Sequence, residues 1–288
     1  MLTIQSHPPW LKKRLKLTGD TAYTKDALKS LAVDTVCESS LCPNLNECFS
    51  KKFATFLILG NRCTRRCPYC AIAKADAGGE KDDEVGNILD AIKMLDLKYV
   101  VITSVTRDDI SDGGASRFVG SVRAVRRYSK EIKIELLVPD FRGERESIEA
   151  VVDISPDVLG HNVETVERLY KSLRPQADYQ RSLGLLKLAK KLNPRQLTKS
   201  SAMLGLGETE SEVAVLMRDL RDADCDLFAL GQYLKPRPEN VPAERFVRPE
   251  EFMKYAELGY SLGFKHVSAG PFVRSSYCAE EAYLKVMR

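Results

Sequence analysis

The sequence predicts an α/β fold, a parallel-stranded sheet curved into a partial (β/α) barrel. Three observations lead there. From residue 54 onward, about seven short apolar runs alternate with stretches of helical periodicity, and strands separated by helices pair in parallel. The 288 residues suit one large domain, since barrels of about 250 residues are routine. A cysteine-rich loop and several polar residues follow the apolar runs, at the strand ends where barrels carry their reactive groups.

The elements follow in chain order. Residues 1–50 read as an N-terminal extension. Pro8 and Pro9 keep its start extended by restricting their predecessors, and a short helix fits Thr24 to Ala32. Ala54 to Leu59 is continuously apolar, as a buried strand should be. Beyond the cysteine loop and a Gly78-Gly79 break, Val85, Ile88, Leu89, Ile92 and Leu95 recur at helical spacing. The next strand is Tyr99 to Ser104, followed by a polar loop to Gly114. A helix with Phe118, Val119, Val122 and Val125 leads to a strand over Ile132 to Val138. A helix from Glu144 to Val152 precedes a short strand over Asp157 to Asn162. Val163, Val166, Leu169, Tyr170 and Leu173 then predict one helical face. A helix over Arg181 to Leu192 and a strand over Thr198 to Leu206 follow. Gly205-Leu206-Gly207-Glu208 opens a helix with Val213, Leu216, Met217 and Leu220. The core closes with a strand over Asp226 to Gln232, a helix over Pro249 to Leu262 with proline near its start, and a strand over Lys265 to Ala269. Residues 51–270 thus form the barrel core and 271–288 a C-terminal segment.

Composition excludes several classes. A hydrophobic fraction of 44% with 29% charged residues describes an ordinary globular protein. No apolar run approaches the roughly 20 residues that span a bilayer, and residues 1 to 10 lack a secretory signal. A cytoplasmic protein without a membrane is expected. The net charge of +4 is too small and too evenly spread to predict a nucleic-acid partner, whose domains usually exceed a pI of about 9.

Eight cysteines are present, six of them between Cys37 and Cys70. Cys225 and Cys278 stand alone, and Cys225 reads as a small buried hydrophobe. The six form two triples: Cys37, Cys42 and Cys48 at C-x4-C-x5-C, and Cys63, Cys67 and Cys70 at C-x3-C-x2-C, with Tyr69 just before the last cysteine. Each is one short of the four ligands that close a structural zinc site or saturate an iron-sulfur cluster. A three-cysteine set on a 4Fe-4S cluster leaves one iron open to an exogenous chelator. The bland alternatives are a zinc site completed from afar and a disulfide framework. The three histidines, His7, His161 and His266, lie near neither triple, and disulfide frameworks belong to short secreted chains. Thr103, Ser104, Thr106, Asn162, Gln232 and Tyr233 fall at strand ends where a ligand would be held, although each also suits a cap or turn.

The C-x3-C-x2-C spacing resembles the signature of radical S-adenosylmethionine (SAM) enzymes. Taken with Pro9-Trp10-Leu11-Lys12, the other triple, His161-Asn162-Val163-Glu164-Thr165-Val166, Gly205-Leu206-Gly207-Glu208 and Arg274-Ser275-Ser276-Tyr277, the chain resembles the lipoyl synthase family over nearly its whole length. The resemblance implies that Cys63, Cys67 and Cys70 hold a 4Fe-4S cluster that binds SAM, with Tyr69, Thr106 and Asn162 as cofactor contacts. It implies a second, auxiliary 4Fe-4S cluster on Cys37, Cys42 and Cys48 that takes a serine oxygen from Ser276, or alternatively Ser275, beside Arg274. The implied reaction inserts sulfur at carbons 6 and 8 of an octanoyl chain carried on a lysine, through 5'-deoxyadenosyl radicals and with sulfur from the sacrificed auxiliary cluster. Implied partners are octanoylated lipoyl domains of 2-oxoacid dehydrogenases and of the glycine cleavage H protein, an electron donor such as ferredoxin or flavodoxin, and an iron-sulfur carrier that rebuilds the cluster. The rival readings are a non-catalytic iron-sulfur electron carrier or cluster-delivery protein and, among enzymes, a sulfur insertion like that of biotin synthase.

Overall fold

The computed structural model describes residues 7–13, 18–76 and 83–288. The expected Gly78-Gly79 break lies outside the described residues. The elements run α1 (Gly19–Ser30), α2 (Val36–Ser39), α3 (Leu45–Ser50), β1 (Thr55–Ile58), β2 (Arg62–Cys63), β3 (Ala73–Lys74), α4 (Glu84–Met94), β4 (Tyr99–Ser104), α5 (Ala115–Tyr128), β5 (Lys133–Leu137), α6 (Arg145–Asp153), β6 (Val158–Gly160), α7 (Tyr170–Leu173), α8 (Tyr179–Leu192), β7 (Leu197–Leu204), α9 (Glu210–Asp222), β8 (Leu227–Gln232), α10 (Pro249–Ser261), β9 (His266–Gly270) and α11 (Ala279–Met287).

Seven strands form one sheet in the order β1-β4-β5-β6-β7-β8-β9, and every neighbouring pair is parallel. All seven expected strands are present, each within two residues of its expected ends. The outer strands β1 and β9 do not pair with each other, so the barrel is partial. The chain's own ends dress its two edges. Thr35 forms an antiparallel bridge to Phe56 of β1, while α11 packs beside β9.

Alternation along the strands separates two apolar groups. Val100, Ile102, Leu159 and Phe228 join the main core under the surrounding helices. Tyr99, Val101, Val158, Leu197 and Leu227 face the inside, where Ala279, Ala282 and Tyr283 of α11 fill the space. In the same inward row Lys199 holds both oxygens of Glu135 at 2.8 and 3.1 Å, and the Tyr99 hydroxyl donates to the same carboxylate at 2.7 Å. The charge is therefore buried only in company.

Two expectations are corrected. The face Val163, Val166, Leu169, Tyr170 and Leu173 is buried but is not one helix. Glu164 N–H donates to Ser201 O at 2.9 Å and Glu164 O accepts from Met203 N–H at 2.8 Å, which prolongs pairing with β7. Glu164 then turns the chain at φ 65°, and only a 3₁₀ turn (Glu167–Leu169) and α7 follow. Helix α1 begins earlier than Thr24 because the Thr18 hydroxyl accepts from Thr21 N–H and caps it. Helices α2, α3 and α11 were not anticipated. Cys225 is fully buried between α9 and β8, as expected. Among the described residues no helix is long and apolar enough to cross a membrane.

Candidate functional site

The first cysteine triple is held at the mouth of the sheet by short-range pairing. Strands β2 and β3 pair in parallel, with Cys63 opposite Lys74, and so bring the two ends of the cysteine loop together. Cys70 N–H turns back to Cys67 O at 3.2 Å. Asn240 donates to Pro68 O at 2.8 Å and Cys70 O at 3.2 Å. Below the loop, the buried Arg65 guanidinium grips Asp108 at 2.8 and 3.0 Å and Asp140 at 2.9 and 2.6 Å. Burial alone would raise the Asp140 carboxyl, but Arg65 outweighs it and leaves it at about 2. The loop is anchored by a charge pair that persists at neutral pH.

A chamber of about 230 Å³ opens inside the loop, lined by Cys63, Cys67, Cys70, Tyr69, Thr106 and Asn162 together with Ser104, Glu164 and Arg174. All six first-triple and cofactor-contact residues expected from the sequence therefore share one space. Thr106 serves the loop through its carbonyl, which accepts from Thr64 N–H at 3.0 Å. Two buried polar atoms on residues of this wall, Ser104 Oγ and Arg174 Nε, have no hydrogen-bond partner. Arg174 is fixed from behind: Nη1 donates to Asn162 O, Val163 O and the Tyr170 hydroxyl at 3.0, 3.1 and 2.8 Å. Burial raises Glu164 above the usual carboxylate range, against the opposing pull of Arg174. It also raises Cys67 and pushes the Cys70 thiol up to about 11.

Two short helices, α2 and α3, carry Cys37 and Cys48 of the second triple, with Cys42 in the turn between them. Thr35 caps α2, which carries Cys37. Leu41 turns the chain at φ 55°, so that Cys42 N–H closes on Cys37 O at 3.0 Å, and Cys48 lies on α3. Burial pushes Cys37 to about 11 and Cys48 to about 12. The C-terminal segment crosses these cysteines as a strap. Asn44 donates to Phe272 O at 2.6 Å, and the Tyr277 hydroxyl donates to Glu47 at 2.9 Å. The Ser275 hydroxyl donates to Asn162 Oδ1 at 3.0 Å.

A second chamber, of about 350 Å³, lies between strap and triple and is lined by Cys37, Cys42, Cys48, Arg274, Ser275 and Ser276. Its apolar wall includes Leu41, Phe53, Met203 and Tyr233. Among the described residues, no hydrogen bond engages the Ser276 hydroxyl, whereas Ser275 is committed to Asn162. Arg274 donates to its neighbour's carbonyl, Val273 O, at 2.7 Å. Burial lowers its pKa while Cys42 and Glu164 pull the other way. Val36, Tyr69, Cys70, Leu137, Asn162 and Glu164 line both chambers, so the two cysteine triples look onto adjoining spaces.

All eight cysteines are free thiols. Among the described residues, no three His, Cys, Asp or Glu side chains are gathered as a single-ion site. Gln232 does not join the chambers. Its amide donates to Leu204 O, Tyr233 O and Arg245 O and accepts from Val247 N–H, which is a packing role. Arg174, and Glu164 from the His161 to Val166 motif, line the first chamber without a site role expected from sequence. Their signal was a charge beside buried positions, Leu173-Arg174 and Val163-Glu164.

The family model described as the Radical SAM superfamily matches residues 57–220. The chain is 50% identical over 273 residues to the lipoyl synthase of Caldanaerobacter subterraneus subsp. tengcongensis, covering 95% of each chain. It is 47% identical over 274 residues to that of Caldicellulosiruptor saccharolyticus, covering 95% of this chain and 96% of the other. Among solved structures, methylornithine synthase superposes with a TM-score of 0.55 at 14% identity, covering 86% of this chain and 74% of that one. HydG, a maturase of the [FeFe]-hydrogenase, superposes with a TM-score of 0.52 at 14% identity, covering 92% and 70%. With a family match over more than half its length and relatives near half identical end to end, the chain belongs to the lipoyl synthase family of the radical SAM superfamily.

Proposed function

We propose that the two adjoining chambers divide the work of a lipoyl synthase. The protein is a radical SAM sulfurtransferase of lipoate biosynthesis, with two 4Fe-4S clusters and SAM as cofactors. When bound, these supply a 5'-deoxyadenosyl radical and the sulfur atoms that enter an octanoyl chain. Cys63, Cys67 and Cys70 hold the SAM-binding cluster. Cys37, Cys42 and Cys48 hold the auxiliary cluster, with Ser276 as its fourth ligand.

The donor sets fit. Burial pushes the Cys37 and Cys70 thiols up to about 11, so a metal centre that takes up the thiolate charge is what would ionise them, and each chamber offers three cysteine sulfurs. Chamber one adds the unpartnered Arg174 Nε and Ser104 Oγ, suited to the carboxylate and hydroxyls of an amino-acid nucleoside. Chamber two adds a half-buried guanidinium, Arg274, which suits a thiolate-bound cluster of net negative charge, and the uncommitted Ser276 hydroxyl. Its apolar wall of Leu41, Phe53, Met203 and Tyr233 suits an eight-carbon chain.

The observation that carries the reading is the shared wall. Tyr69, Cys70, Asn162 and Glu164 line both spaces, so a hydrogen removed in one can be replaced by sulfur from the other without the intermediate leaving. A simple electron carrier has no use for such an apolar chamber. The octanoyl group arrives on lipoyl domains of 2-oxoacid dehydrogenases and the glycine cleavage H protein. Ferredoxin or flavodoxin supplies electrons, an iron-sulfur carrier rebuilds the spent cluster, and the enzyme works in the cytoplasm.

The test is anaerobic reconstitution with an octanoylated lipoyl-domain peptide, followed by iron analysis and mass spectrometry. Two clusters require about eight irons, and the peptide should gain sulfur. Replacing Cys37, Cys42 and Cys48 by Ala should halve the iron and keep 5'-deoxyadenosine release. Replacing Cys63, Cys67 and Cys70 should halve the iron and abolish release. Release that survives the second set, or zinc in place of iron, defeats the assignment.

A further inference from the structure

The first cysteine triple also reaches the outside of the molecule. A pocket of about 400 Å³ on the outer side of the β2–β3 loop has Cys67 and Cys70 in its wall, together with Arg66, Lys74, Arg237 and Glu239. Arg66, Arg237 and Glu239 are exposed and Lys74 is half-buried. Three cations thus stand beside two carboxylates, Glu239 in the pocket and Asp76 next to Arg66. The partner of Arg66, Asp76, lies 2.6 Å away, with the two side chains 63% and 94% exposed, an arrangement that holds little energy in water and leaves Arg66 available to an incoming carboxylate. The floor is firm. Asn240 donates to the carbonyls of Pro68 and Cys70, Val241 N–H donates to Pro68 O at 3.3 Å, and Lys74 Nζ donates to Cys70 O at 3.1 Å.

Resting on the reading that Cys63, Cys67 and Cys70 hold the SAM-binding cluster, we propose that this basic outer pocket is the docking face of the electron donor, a small acidic one-electron carrier protein. Each reductive cleavage of SAM needs one electron from outside the chain. Both chambers are taken by cofactor and substrate, which leaves them poor ports for a second protein. Electron transfer through protein weakens steeply with distance, so the donor belongs at an outer face that the ligating thiols reach, and Cys67 and Cys70 line this one. A positive rim selects an acidic carrier and speeds its encounter. The exchange is balanced as one electron: the carrier is oxidised by one, the cluster is reduced by one, and no atom or proton changes place.

The test is the double reversal Arg66→Glu/Arg237→Glu in the reconstituted holoenzyme, compared with Lys187→Glu/Lys191→Glu. The second pair makes the same charge change on exposed positions of α8. Two quantities are read: affinity for an acidic flavodoxin by calorimetry at low and high salt, and initial 5'-deoxyadenosine release driven by reduced flavodoxin or by dithionite. The expected result is an affinity loss of about tenfold or more, shrinking at high salt, with flavodoxin-driven release falling in step and dithionite-driven release unchanged. The α8 variant keeps wild-type affinity. Unchanged flavodoxin affinity, an equal loss in the α8 variant, or an equal loss with dithionite each overturns the docking face. If the wild type releases no 5'-deoxyadenosine with dithionite, the reading of the triple fails instead, and the affinity comparison still decides the docking face.

Discussion

The carbonyl of Val273 lies against Gly231 so closely that a Cβ built on the glycine would stand 1.9 Å from the oxygen. Gly231 pairs with Gly270 across β8 and β9, and the strap doubles back over this side-chain-free corner to deliver Arg274, Ser275 and Ser276 to the second chamber. The glycine is required here for close approach, a packing need.

Gly231→Ala should therefore displace the strap. Overpacking of this kind costs about 1–3 kcal/mol, visible as a lowered midpoint in denaturant unfolding. Limited proteolysis should cut first within residues 271–278, and sulfur insertion should be lost while SAM cleavage persists. A variant with normal product yield would show that the strap's path is immaterial.

Lys13 fastens the same strap from the N-terminal side. Its ammonium donates to Asn44 Oδ1 at 2.8 Å, pairs with Glu47, and stands 5.3 and 5.7 Å from the ring centroids of Phe272 and Tyr277. The Lys13–Glu47 side chains are 27% and 31% exposed, so screening limits the gain to about 1–2 kcal/mol for pair and rings together. Lys13→Met should accelerate hydrogen exchange at the Tyr277 amide, which donates to Arg274 O, by about 5–30-fold. Lys13→Arg should restore part of the protection.

The two strap serines should behave differently. Ser275 is engaged with Asn162 and Ser276 is free to ligate. Serine oxygen is a harder ligand than thiolate, so Ser276→Cys should hold the auxiliary cluster more firmly. More iron should be retained after turnover and less sulfur transferred. Ser275→Cys should leave iron retention near wild type. The reverse order would move the ligand to Ser275.

His161 gives a pH signature. Its Nδ1–H donates to Val138 O at 2.9 Å, and its Nε2 pairs with the Ser182 hydroxyl at 3.0 Å. Burial first, then Arg174, pushes it down from 6.5 to about 4. A depressed histidine binds fewer protons folded than unfolded, so its contribution is full above about pH 6.5 and is lost as pH falls toward 4. The cluster-free protein should lose on the order of 3 kcal/mol across that window. His161→Gln should flatten this part of the stability curve, and an unchanged slope would assign it to other groups.

Much of this was legible in the chain itself. Apolar runs such as Tyr99 to Ile102 marked the strands, because a strand covered on both faces has little choice but to be apolar. The two cysteine spacings, with Arg274-Ser275-Ser276-Tyr277, named the chemistry before any geometry was available. The face from Val163 to Leu173 misled, since periodicity reports burial and not backbone path. Glu164 could still pair with β7 and turn through a left-handed residue.

Residue types and local spacing determined, by themselves, that two three-thiol sets ride on a parallel α/β barrel. Only the tertiary structure decided that the sets open onto adjoining chambers with Asn162 and Glu164 in the common wall, that Arg174, with its unpartnered buried Nε, lines one of them, and that Gly231 clears a path for the strap. Spacing along a chain specifies local ligand geometry, but a shared wall depends on residues more than a hundred positions apart, such as Asn162 and Ser275, which meet only once the sheet has closed its core.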